Sequence, residues 1–216
     1  KREFKFYQFN QSTLNTSYFG PTSAIGQIED RVENRIIHQQ LFLEFNSKYV
    51  LGTFRAHSEL TNFSHGYNAI LNSNSTAVTT PILKGSAYSF GADWKAKIKN
   101  FQLNSSAKVS PGSGRLSGSN FYGEAIYKKD SLFTLKSSIA INSTSPNFNT
   151  VLFQSSYDAY NWQNNHFKNV NTRNISFGFE SKWINATGEI TNIENYTYFD
   201  ENSQPIQASE NINYLK

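Results

Sequence analysis

The sequence predicts an all-β fold, an antiparallel up-and-down transmembrane β-barrel, from three observations. Apolar and polar side chains alternate over segments of barrel-strand length. Connections are by turns very short and long. Aromatic residues gather beside the short ones.

The alternation is clearest over Ser86–Ile98, where Tyr88, Phe90, Ala92, Trp94, Ala96 and Ile98 oppose Ser89, Gly91, Asp93, Lys95 and Lys97. At roughly 3.3 Å per residue the segment is about 36 Å long, and a tilt of about 45° leaves about 25 Å, the height of a lipid-facing band. Strands are expected near Lys1–Phe9, Ile36–Phe45, Tyr49–Leu60, Ser86–Ile98, Phe101–Ser110, Asn120–Lys128, Leu132–Asn142, Arg173–Trp183 and Ala186–Tyr198, with a tenth opening at Asn211. Over Glu29–Phe45 an amphipathic helix stays open as an alternative, because Val32, Ile36, Ile37 and Leu41 have near-helical spacing.

The connections at Asn46–Lys48, Lys99–Asn100, Lys129–Ser131 and Ile184–Asn185 are short. Those at Gln11–Arg35, Thr61–Lys84, Ser110–Ser119, Ser143–Thr172 and Asp200–Glu210 are long. Short periplasmic turns and long outer loops give this rhythm. Phe45, Tyr49, Phe101, Tyr127, Phe133 and Trp183 lie beside the short turns and read as an interfacial girdle. Tyr88, Phe90, Trp94 and Ile98 are expected to face lipid. Replacing Phe90 or Ala92 with Arg is then expected to be costly, and the same change at Gly91 milder if a lumen has room for it. Arg55, His57, Glu59, Asp93, Lys95, Lys97, Lys108, Glu124, Lys136, Glu180 and Lys182 are expected to line a lumen; their mixed signs argue against strong charge selectivity.

Composition agrees with one wet and one apolar surface. Asn and Ser number 26 and 27 of 216 residues, and aromatics reach 15% against only 17% charged. No apolar run exceeds three residues, so no transmembrane helix is predicted. The chain has no Cys, which excludes disulfides, thiolate metal sites and a Cys nucleophile. His57 and Glu59 can share a strand face, but two ligands are too few for a metal, and no cofactor is expected. The net charge of +4 is spread without a basic run, which gives no support to nucleic-acid binding. No nucleophile elbow or paired-carboxylate motif is present, and the chain is not expected to be an enzyme.

The last third carries a resemblance. Tyr160-Asn161-Trp162-Gln163-Asn164 precedes Phe167-Lys168-Asn169, and Ile190–Phe199 and Asn211–Leu215 follow. This order resembles the putative porin family of Bacteroidota outer membranes, from about Ile36 to the C-terminus. The resemblance implies a Gram-negative outer-membrane barrel and supplies no catalytic or binding residues. Family members are longer and begin with a signal peptide, so a single barrel domain over 1–216 is expected, as an internal segment of about nine to ten strands.

Function is then expected to be passive passage of small solutes, or a membrane scaffold for other subunits of a complex, with outer-membrane lipid as the surrounding partner. Long loops such as Ser143–Thr172 are candidates to fold inward and close a lumen. The alternative is a secreted or surface β-sandwich that binds glycans or proteins through Tyr157, Tyr160 and Trp162.

Overall fold

The structure is a computed structural model and describes residues 2–10, 16–22, 27–47, 50–67 and 82–216. In chain order the elements are β1 (Arg2–Asn10), α1 (Thr16–Phe19), β2 (Gln27–Ser47), β3 (Val50–Tyr67), β4 (Ile82–Ile98), β5 (Phe101–Ser110), β6 (Gly118–Lys129) and β7 (Phe133–Thr144). Then come α2 (Phe148–Val151), β8 (Leu152–Phe153), β9 (Trp162–Gln163), β10 (Val170–Ser181), β11 (Asn185–Glu194), β12 (Thr197–Phe199), β13 (Pro205–Gln207) and β14 (Ile212–Leu215).

Ten strands form one antiparallel sheet in the order β1-β2-β3-β4-β5-β6-β7-β10-β11-β14. Every neighbour is also the next sheet strand along the chain, which is the up-and-down arrangement. The sheet is not closed: β1 pairs only with β2, and β14 only with β11, among the described residues. Among the described residues no second layer of comparable size exists, which sets aside the sandwich. No helix among the described residues is long and apolar enough to cross a membrane.

The short connections all fall on one edge of the sheet. Two residues separate β4 from β5, and Lys99 takes φ +50° to close that turn. Asp130 (φ +46°) turns β6 into β7, with Leu132 N–H donating to the Lys129 carbonyl at 2.9 Å. Ser181 N–H donates to the Ile184 carbonyl at 2.9 Å to turn β10 into β11. Between β2 and β3, residues 48–49 lie outside the described residues, so the turn expected at Asn46–Lys48 is only partly seen, and Tyr49 has no described place.

Several expected boundaries are corrected. β2 starts at Gln27, not Ile36, and the helical alternative over Glu29–Phe45 is excluded. Its extra residues pair with β1, from Arg2↔Arg35 to Asn10↔Gln27. One face of the stretch is wholly polar and the other mixes Ile28 and Val32 with Asp30 and Asn34, so alternation could not reveal it. β3 continues to Tyr67 and β4 opens at Ile82, which shortens the loop expected over Thr61–Lys84. β11 ends at Glu194, not Tyr198, because Asn195 adopts φ +56° and turns the chain. β12 then pairs with β13 as a separate hairpin.

The sheet has no hydrophobic core of its own. The most deeply buried side chains are Val151, Leu152 and Gln154, all in the connection between β7 and β10. That connection, residues 145–169, builds its own small core against the sheet.

Candidate functional site

Directly paired residues in an antiparallel sheet present side chains to the same face. One such row runs Phe45, Phe54, Trp94, Ser105, Gly123, Ile139, Ile175, Ile190 and Leu215 across β2 to β14. The next row towards the short turns holds Ala96, Leu103, Ala125, Ser137, Phe177 and Gly188, and the next Ile98, Phe101, Tyr127, Leu135, Phe179 and Ala186. This face is apolar and exposed: Tyr88, Phe90, Ile98, Phe101 and Phe177 are all open to the surroundings. Trp94 is half-buried and its indole N–H donates to the Leu51 carbonyl at 2.8 Å.

Along the short-turn edge the aromatic rings touch in series. Phe101 meets Tyr127 at 4.7 Å, Tyr127 meets Phe133 at 6.0 Å, and Phe133 meets Phe179 at 5.9 Å between centroids. Trp183 projects from the β10–β11 turn, 83% exposed. Towards the long loops the same face stays largely apolar on β4 to β7, through Ala92, Ala107, Phe121 and Ile141 and on to Phe90 and Val109, and turns polar on β10 and β11. On β10 and β11 the pair Ile175↔Ile190 gives way to Arg173↔Asn192 and Asn171↔Glu194, and Arg173 binds Glu194 at 3.2 Å.

The opposite face carries the charges. Arg55, His57, Glu59, Asp93, Lys95, Lys97, Lys108, Glu124, Lys136 and Glu180 share it by register. Lys182 lies past the end of β10, its Nζ 5.2 Å above the Trp183 ring. Opposite signs meet in several places: Arg55 donates to Glu44 Oε2 through NH2 at 2.6 Å and Nε at 3.0 Å, and Lys136 reaches Glu180 at 2.6 Å. Lys108 lies 3.7 Å from Glu59, and Asn104 donates to Glu124 at 2.8 Å. Asn120 donates to Asn142. His57 sits 3.8 Å from Asp93, and its ring fills the space beside Gly91. A Cβ at Gly91 would stand 2.3 Å from His57 Nε2 and 2.8 Å from the Ala107 carbonyl. The position expected to tolerate a long side chain is therefore occupied, and that expectation is corrected.

Across this polar face lies the 145–169 segment. Asn147 caps α2 by accepting from Asn149 N–H at 2.9 Å. Phe148 then stacks on Phe63 (5.0 Å) and His65 (5.5 Å) of β3. Phe153 stacks on Trp162 at 4.9 Å, and the Trp162 indole donates to the Asn149 carbonyl at 2.8 Å. Asn161 ties the loop between them, donating to the Ser155 and Tyr157 carbonyls and accepting from Ser155 N–H. The quoted stretch Tyr160–Asn164 is thus structural: Asn161 and Trp162 hold the segment closed.

The far end is fastened to β2. Asp30 accepts from Ser155 Oγ (2.7 Å), Ser156 N–H (2.8 Å) and Ser156 Oγ (2.7 Å). Thr22 Oγ1 donates to the Ser156 carbonyl at 2.6 Å. β7, where the segment starts, stands five places from β2 in the sheet. At about 4.8 Å per strand the segment bridges about 24 Å of sheet. Further ties reach Arg115 of the β5–β6 loop, which donates to Asn165 Oδ1 at 2.7 Å, and Gln207 of β13, which exchanges hydrogen bonds with the Lys168 backbone. Burial lowers the Arg115 guanidinium pKa from its ordinary value.

Sequence reasoning identified the charged face but missed Asp30, His65 and Phe148 as a set. The apolar run Val151-Leu152-Phe153 inside a long polar connection is the signal that could have found the folded 145–169 segment. Nothing local marks Asp30, whose partners are 125 and 126 residues away. Among the described residues no three His, Cys, Asp or Glu side chains converge as metal ligands would.

No curated protein and no solved structure matches the chain. The family model described as "Putative porin" matches residues 1–216, and the chain belongs to that family.

Proposed function

We propose that this chain forms wall and plug of an outer-membrane porin-like β-barrel in a Gram-negative bacterium of the Bacteroidota. Its apolar face meets lipid, and its charged face borders an aqueous path that the 145–169 segment narrows. One observation carries the reading: the segment with the buried core lies on the charged face, while the aromatic face is left bare. A bare apolar face this extensive is stable in hydrocarbon and a liability in water. Passage is passive. Solutes are sorted by the space beside the plug and by wall charges of both signs, which gives weak overall charge preference.

Asp30 is the point to test. Asp30→Ala removes three hydrogen bonds from the plug without touching the apolar face. For protein extracted from its native membrane and placed in planar bilayers, the variant is expected to conduct at least as well as the native protein, with more open-state noise. Identical silence of both proteins would reject passage and leave a scaffold role.

A further inference from the structure

We infer that the cavity between the plug and the wall is a binding site for a small hydroxylated anion of the sugar-phosphate or sugar-acid type. This deepens the proposed function and rests on that reading for the solute's route. The cavity measures about 470 Å³, within the usual range for small-molecule sites. Its floor is the charged sheet face: Lys5 on β1, Asn34 on β2, His65 on β3, Lys108 on β5 and Asn120 on β6. Its roof is the start of the plug, Ser145 to Asn149.

Three features define the ligand. Two lysines line the cavity and no Asp or Glu does, so its lining is locally cationic although the whole face is mixed. Glu59 touches Lys108 from outside the lining at 3.7 Å and is held by Thr61 and His38, which leaves the Lys108 ammonium other donor directions. Second, polar atoms there are under-satisfied: His65, 3% exposed, directs one ring N–H to the Leu152 backbone, which leaves its other ring nitrogen and Oδ1 of Asn34, paired opposite it across β2 and β3, without partners. Buried polar atoms are normally satisfied, and these offer two acceptors to the hydroxyls of a guest. Third, the remaining lining sets Ser, Thr and Asn side chains, which bond hydroxyls without demanding charge, among apolar groups such as Val32, Leu116 and Phe148. A neutral sugar would leave the lysines unanswered, and bare phosphate would leave the His65 and Asn34 atoms unpaired.

The test uses protein extracted from its native membrane in detergent, with glucose 6-phosphate, glucuronate, glucose and inorganic phosphate as probes in titration calorimetry. Either sugar anion is expected to bind at least about tenfold tighter than glucose and than phosphate, the margin that one or two charge-assisted contacts supply. Lys5→Gln with Lys108→Gln, and separately Asn120→Asp, are each expected to weaken that binding about tenfold or more while far-UV dichroism stays native. Equal affinity for glucose and its phosphate, or unchanged binding in both variants, overturns the site. Conductance is measured separately. Binding without conductance supports the site and rejects solute passage, whereas conductance with no binding of any probe overturns the site and spares the pore.

Discussion

At single positions the face a side chain occupies decides what a substitution costs. Phe177 and Gly178 are neighbours on β10 that point to opposite sides, Phe177 to the bare apolar face and Gly178 beside Lys136. A Cβ at Gly178 meets only Lys136 Cβ, at an ordinary 3.6 Å. Phe177→Arg is therefore expected to lower refolding stability in lipid vesicles by about 2–4 kcal/mol, and Gly178→Arg by less than about 1 kcal/mol. Equal losses in a urea titration would show that the two faces see the same medium. Gly91 behaves differently from Gly178 although both lie on the charged face. Gly91→Ala drives a methyl group into His57 and the Ala107 carbonyl, an overpacking expected to cost about 1–3 kcal/mol. His57→Ala should restore part of that loss, and a double-mutant cycle with no coupling would contradict the packing described here. The alternation that told the faces apart was fully legible in Tyr88–Ile98. The crowding at Gly91 was not, because it depends on which β3 residue lands opposite.

Among the elements, the plug is the one whose stability is separable from the sheet. Leu152 is 0% exposed in a core made only by 145–169 and what it touches. Leu152→Ala is expected to cost about 2–5 kcal/mol of that local core. Hydrogen exchange should then quicken at amides 148–163 and remain slow through β4 to β7, since strand amides are held by the ladder and not by the plug. A uniform rise across both regions would make plug and wall one cooperative unit. Asp30→Ala should loosen the same amides from their far end. The barrel strands were readable because each repeats one environment every second residue. The plug was not readable beyond its length, since its short elements have neither period two nor period 3.6 over enough residues. β2 shows a third case: its first nine residues are paired with β1, yet one side is wholly polar and the other has only Ile28 and Val32 between Asp30 and Asn34, so pairing left no clear period-two trace in hydropathy.

For the molecule as a whole, the decisive division is between a face bare to its surroundings and a face covered by the chain's own plug. Up-and-down order, ten strands and turns that are short on one edge were all legible from spacing. What spacing could not supply was where the core sits, because in this architecture the sheet buries little and the 145–169 connection holds the most deeply buried side chains. These 216 residues hold no cysteine, so a single cysteine placed along β4 has no competitor among them. Spin labels at each position from Tyr88 to Ile98, in protein residing in its native membrane, report collision with oxygen, which concentrates in lipid, and with a water-soluble nickel chelate. Oxygen accessibility is expected to peak at 88, 90 and 92 and chelate accessibility at 93, 95 and 97, two opposed profiles of period two. A chelate profile that is uniformly high along the strand, or that peaks at Tyr88 and Phe90, would place the aromatic face in water and contradict the membrane barrel.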